Sequence, residues 1–157
     1  MHFYPASLLI SVAVLLPNLL FIALPPTKGE STGKPAEPRS FAICERVGQA
    51  GCLVLPLFFP LGFSRGYVFA AWVVMALSLA FYYAGWLRFF IRGRDYALLF
   101  TPMSGIPIPM AISPVLYLLA SSVPLGSIWQ AVAATVLAVG HIPITAREFR
   151  RLSSSRE

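Results

Sequence analysis

Few side chains of this chain could do chemistry, and those that could are set inside long apolar runs. Asn18, Glu45, Gln49 and His141 are amide and ionisable groups of this kind, joined by the aromatic polar pair Tyr82 and Tyr83 and by Trp86. A charged group in the middle of a bilayer costs roughly 2.5 to 3.5 kcal/mol on insertion scales, so each calls for a reason. Glu45, Gln49 and Cys52 follow i, i+4, i+7 spacing and share one helical face. Cys44, Gly48 and Cys52 form a smooth neighbouring face with a small residue every fourth position, which lets another helix approach closely. Glu45 and Gln49 are therefore expected to point into a bundle.

Two kinds of chemistry fit these residue types. Aromatic walls with a few polar groups suit a binding pocket for a lipid-like or amphipathic small molecule, lined by Asn18, Glu45, Gln49, Tyr82, Trp86 and His141. A carboxylate and an imidazole that converge suit general acid/base catalysis. If the chain is an enzyme, Glu45 and His141 are the catalytic pair and a lipid or isoprenoid headgroup is the substrate. A bland alternative stands beside each: Asn18 as an interhelical hydrogen bond, Glu45 paired with Arg88 or Arg94, the aromatics as an interfacial belt, and His141 as a satisfied core residue. No motif assigns a catalytic residue outright. The chain carries no GxxxxGK[ST], HExxH or GxSxG run, and no second membrane histidine for a haem. Neither a cofactor nor a metal is expected. Cys44 and Cys52 would lie about 12 Å apart on a helix, too far to pair, and no CxxC or Cys/His spacing accompanies them.

Composition says what must hold these groups. Of 157 residues, 57% are hydrophobic and 11% charged, where a soluble domain is about a quarter charged. Mean hydropathy is +0.74, which excludes disorder for most of the chain and argues against a soluble enzyme. The expected fold is an all-α integral membrane protein, multi-pass in a cell membrane. A bilayer core about 30 Å thick needs about 20 apolar helical residues. Five transmembrane helices meet that requirement, at about 6–24, 42–63, 67–90, 106–122 and 128–145, forming one bundle over 1–146. The last two come from an apolar run too long for one crossing, divided at Val123-Pro124-Leu125-Gly126-Ser127. Residues 25–40, rich in Pro, Gly, Ser and Lys, read as a flexible cytoplasmic linker, and 147–157 as a basic cytoplasmic tail. The first helix reads as a retained anchor, because no basic residue precedes it as in a secretory signal.

Charge then orients the bundle. Lys28, Lys34, Arg39 and Arg46 flank the first connection, Arg88, Arg92 and Arg94 the third, and Arg147, Arg150, Arg151 and Arg156 the end of the chain. Only Arg65 falls on the other side. The positive-inside rule places the amino terminus outside and the carboxyl terminus in the cytoplasm. At about 1.5 Å per residue, Asn18, Glu45, Gln49, Tyr82, Tyr83, Trp86 and His141 then sit roughly 5 to 12 Å from the cytoplasmic ends of four helices. Gln130, near the outer end of the fifth, is the exception. The Arg88 to Tyr96 run mixes basic and aromatic side chains, so Arg88, Arg92 and Arg94 are candidate headgroup contacts. Thr101 to Pro109 cannot be regular helix throughout and reads as a re-entrant or extended entry to the fourth helix. Membrane lipids are the expected partners, with a homo-oligomer or a partner membrane subunit left open. Nucleic acid is unsupported, since orientation in the membrane accounts for the net charge of +6. A transporter or channel subunit is a further alternative, against which stands the lack of a polar stripe in the outer half.

Overall fold

The computed structural model describes residues 2–28, 38–63 and 66–154. Among them the chain is all-helical: α1 (Leu8–Ala23), α2 (Arg39–Val54), α3 (Gly66–Ile91), α4 (Pro109–Ala120) and α5 (Ile128–Ser154). Short 3-10 turns at Pro5–Ser7 and Leu55–Phe58 extend α1 and α2, giving four helices long and apolar enough to cross a membrane. Lys34, Arg65, Arg156 and most of the expected linker lie outside the described residues.

Hydrogen bonds between connections show how the helices alternate. The amide of Thr27 donates to the carbonyl of Arg94 and that of Tyr96 to Lys28, so the first and third connections meet at one end. At the other, the Tyr4 amide donates to Leu57, the Gly62 amide to Pro124 and the Ser7 hydroxyl to Phe59. Every described lysine and arginine lies in the half nearer the first end, called here the basic end. Side by side, α2 packs on α5, α5 on α4, and α4 on α3, while α1 touches both α2 and α3 and closes the ring.

Backbone contact sets the α2–α5 pairing. A Cβ built on Gly48 would fall 2.6 Å from Leu137 Cα, and one on Gly140 would fall 2.8 Å from Glu45 Cα. Farther along, Gly51 meets Ala133. The small-residue face expected on α2 is thus used, with Gly48 and Gly51 at the crossing and Cys52 fully buried beside it. Both cysteines are free thiols.

The fourth helix differs from its expected span. It covers Pro109–Ala120 instead of 106–122, about 18 Å of helix, too short to cross alone. Eight of its residues are buried, among them Pro109, Met110, Ala111, Pro114 and Leu118. It is the most interior of the five helices: only Leu116 and Leu119 are exposed on it, whereas the others present Ile22, Val47, Phe69, Leu77, Ile91 and Ile128 outward, among further apolar side chains. Ahead of it, Ser104 and Gly105 take φ values of +50° and +84° in a tight two-residue turn closed by Met103 and Ile106, which exchange two hydrogen bonds. At the other extreme α5 runs nine residues past its expected end, because nothing after Thr145 breaks a helix and Arg151 pairs with Glu148 at 3.0 Å. The segment expected as a tail is helical as far as Ser154.

Gly48→Ala is expected to destabilise the protein by roughly 1 to 3 kcal/mol through forced separation of α2 and α5. Gly66→Ala, where a new Cβ meets nothing within 4 Å, is expected to be neutral. Thermal unfolding in detergent checks the pair; equal melting temperatures for both variants would contradict this packing.

Candidate functional site

The ring of helices lines a half-open cavity of about 290 Å³, to which all five contribute. Val14, Leu15 and Asn18 come from α1, Glu45, Gln49, Cys52 and Leu53 from α2, and Tyr82 and Trp86 from α3. Leu99 and Phe100 precede α4, which adds Met110, Pro114, Val115 and Leu118; Leu137, His141 and Thr145 complete the wall from α5. Asn18, Glu45, Gln49, Tyr82, Trp86 and His141, expected from their common depth to meet, are brought together here. The polar groups Glu45, Gln49, His141 and Thr145 gather toward the basic end, and Leu53, Leu118 and Leu137 lie deeper.

Glu45 and His141 are in direct contact, with Glu45 Oε1 2.6 Å from His141 Nδ1 and both side chains about a quarter to a third exposed, at 27% and 30%. The partner is thus the imidazole of α5 and not the Arg88 or Arg94 of the simpler expectation. Gly140, next to His141, lets the two backbones come close enough for this contact. With Nδ1 turned to the carboxylate, Nε2 is left as the ring nitrogen that can meet a ligand.

Asn18 Nδ2 donates to the Val14 carbonyl of its own helix at 3.2 Å, and its side chain also interacts with Tyr82 of α3. The strut between α1 and α3 is Tyr83. Pro17 has no N–H, so the carbonyl of Ala13, four residues earlier, loses its helical donor. The Tyr83 hydroxyl donates to that carbonyl at 2.7 Å, and Tyr82 makes a longer contact of 3.5 Å with Val14 O. Tyr82 and Trp86 are buried, unlike an interfacial belt; Trp86 sits among Phe21, Tyr82, Phe89 and Phe90.

Arg88 has a task the sequence did not reveal. Its guanidinium donates to the carbonyls of Leu98, Thr101 and Pro102 and to Thr101 Oγ1 at 2.5 to 3.2 Å. Those carbonyls belong to the irregular stretch that precedes α4 and supplies Leu99 and Phe100 to the cavity wall. Of the three candidate headgroup arginines, Arg88 is thus occupied within the fold, Arg92 is exposed, and Arg94 is half-buried. Gln130 is fully buried at the opposite end, where its amide donates to Ser121 Oγ at 3.2 Å, away from the cavity.

Cys52, placed by its spacing on the face of Glu45 and Gln49, lines the cavity with them, and Thr145 lines it without having been singled out, though it falls four residues after His141. Leu99, Phe100 and Met110 carried none. The described residues include no cluster of three or more His, Cys, Asp or Glu that could hold a metal ion. No known family, characterised protein or solved structure matches this chain.

Tyr83→Phe is expected to cost about 1 kcal/mol by orphaning the Ala13 carbonyl. In a Pro17→Ala background, where the helix supplies its own donor, the cost is expected to fall near zero. A double-mutant cycle on unfolding free energy measures the coupling, and additive effects would contradict the strut.

Proposed function

We propose that this is a membrane protein that binds a lipid-like or amphipathic small molecule in a cavity open toward the cytoplasmic face. One observation carries the reading: a chamber lined by all five helices, with Glu45, Gln49, His141 and Thr145 toward the basic end and Leu53, Leu118 and Leu137 deeper in, an order that suits a lipid lying in the inner leaflet. In this reading the chain crosses a cell membrane five times, amino terminus outside and carboxyl terminus in the cytoplasm. The clustering of every described lysine and arginine at one end supports that orientation. The buried α4 serves as an interior crossing, completed by the irregular stretch before it. Its Leu98 and Thr101 carbonyls can lie at membrane depth because the Arg88 guanidinium satisfies them. Exposed Arg92 and its neighbour Arg94 are the headgroup contacts of the surrounding lipid, and the apolar outer faces of α1, α3 and α5 meet acyl chains or a partner membrane subunit.

A specific observation favours a second reading, in which the cavity is the active site of an enzyme acting on a lipid or isoprenoid headgroup. The 2.6 Å contact of Glu45 with His141 supports it, since a carboxylate that orients an imidazole through Nδ1 prepares Nε2 to accept a proton from a substrate hydroxyl or water.

Mass spectrometry of small molecules that co-purify in mild detergent tests the first reading. The parent protein is expected to retain an amphiphile, and Glu45→Gln and Trp86→Ala to retain about fivefold less, equivalent to roughly 1 kcal/mol, with helix content unchanged. Equal retention by parent and both variants would remove the cavity as the binding site. If the retained molecule is chemically converted, loss of turnover in His141→Ala by about 10²-fold or more identifies the enzyme reading.

A further inference from the structure

The cavity's walls also bear on which heads it accepts. This inference rests on the binding reading above and narrows its ligand class. No lysine or arginine is among the described lining residues. Two cations near the basic end are engaged elsewhere: Arg88 with the carbonyls before α4, and Arg147 over the Phe41 ring at 5.3 Å. An anionic head would therefore meet Glu45 without a guanidinium or ammonium to offset it, and like charges at close range are a strong source of rejection. A quaternary ammonium fares no better, because it has no hydrogen-bond donor or acceptor of its own and would leave the Nε2 of His141 and the cavity's amide groups without partners. What remains free is hydrogen-bonding capacity. Asn18 spends one N–H on Val14 and keeps its Oδ1, and Gln49, which is exposed, lines the same cavity as His141.

We propose that the cavity selects amphiphiles whose head is uncharged and carries hydroxyl or carbonyl groups, held by His141, Asn18 and Gln49. At about 30 Å³ per water-sized group, about 290 Å³ takes roughly ten non-hydrogen atoms. The head and the start of one chain fill it, and a longer chain leaves between α1 and α2. Ser11 ties α1 to Leu53 toward the opposite end, while Gln49 is exposed nearer the basic end.

The test uses full-length protein in phosphatidylcholine vesicles with Trp72→Phe and Trp129→Phe, so that Trp86 is the sole indole. Three amphiphiles with the same dibromostearyl-type chain are added: a monoacylglycerol, an alkyl sulfate and an alkyl trimethylammonium. Quenching of Trp86 that saturates, and that unbrominated monooleoylglycerol reverses, reports the cavity. The monoacylglycerol is expected to act at about tenfold lower concentration than either charged probe. Gln49→Lys, at an exposed position, is expected to bring the sulfate level with the monoacylglycerol. A sulfate or ammonium probe that matches or beats the monoacylglycerol in the parent overturns the head-charge rule and leaves the binding reading standing, as does an unchanged preference in Gln49→Lys. If none of the three gives saturable, reversible quenching, the binding reading itself falls.

Discussion

The close approach of α2 to α5 is the constraint on which the remaining structure depends. At Gly48 and Gly140 the two backbones come nearer than any side chain would allow, and this brings Glu45 within 2.6 Å of His141. Without driving force from water between helices in lipid, packing of small residues and interhelical polar contacts must supply the association. Both operate on this one seam. The seam also forms the polar wall of the cavity, so the contact that joins two helices and the groups available to a ligand are the same side chains.

A second theme is the treatment of backbone groups that helices leave unpaired. In hydrocarbon such groups have no water to turn to. Pro17 frees the Ala13 carbonyl, and Tyr83 supplies the missing donor from α3. The stretch before α4 leaves several carbonyls exposed, and Arg88 gathers three of them under one guanidinium. These repairs hold α1 and the pre-α4 segment against α3, which is what keeps two walls of the chamber in place. Tyr83 and Arg88 therefore support the cavity without lining it.

Much of this was legible in the sequence, and the parts that were not have physical reasons. Bilayer thickness fixes the length of a crossing, so α1, α3 and the start of α5 fall close to their expected positions. Fourfold spacing announced the smooth face of α2, and common depth announced that Asn18, Glu45, Gln49, Tyr82, Trp86 and His141 would gather. Depth says nothing of azimuth, however, so the pairing of Glu45 with His141 in preference to an arginine needed the rotation of both helices. The shortness of α4 was hidden because an interior helix and a lipid-facing one are equally apolar. Arg88 resembled any interfacial arginine, since its acceptors are backbone carbonyls that every residue possesses. Asn18 turned back on its own helix, an option open to any amide four residues beyond a carbonyl.

The contact between Glu45 and His141 is the most direct point of attack. Solid-state NMR of protein in lipid bilayers, with ¹⁵N in histidine and ¹³C in the glutamate carboxyl, reads dipolar transfer between His141 Nδ1 and Glu45 Cδ, with Glu45→Gln assigning the signal. The account predicts a through-space correlation that disappears from the glutamate carboxyl in the variant. A histidine spectrum with no carboxyl correlation, unchanged by Glu45→Gln, would contradict it.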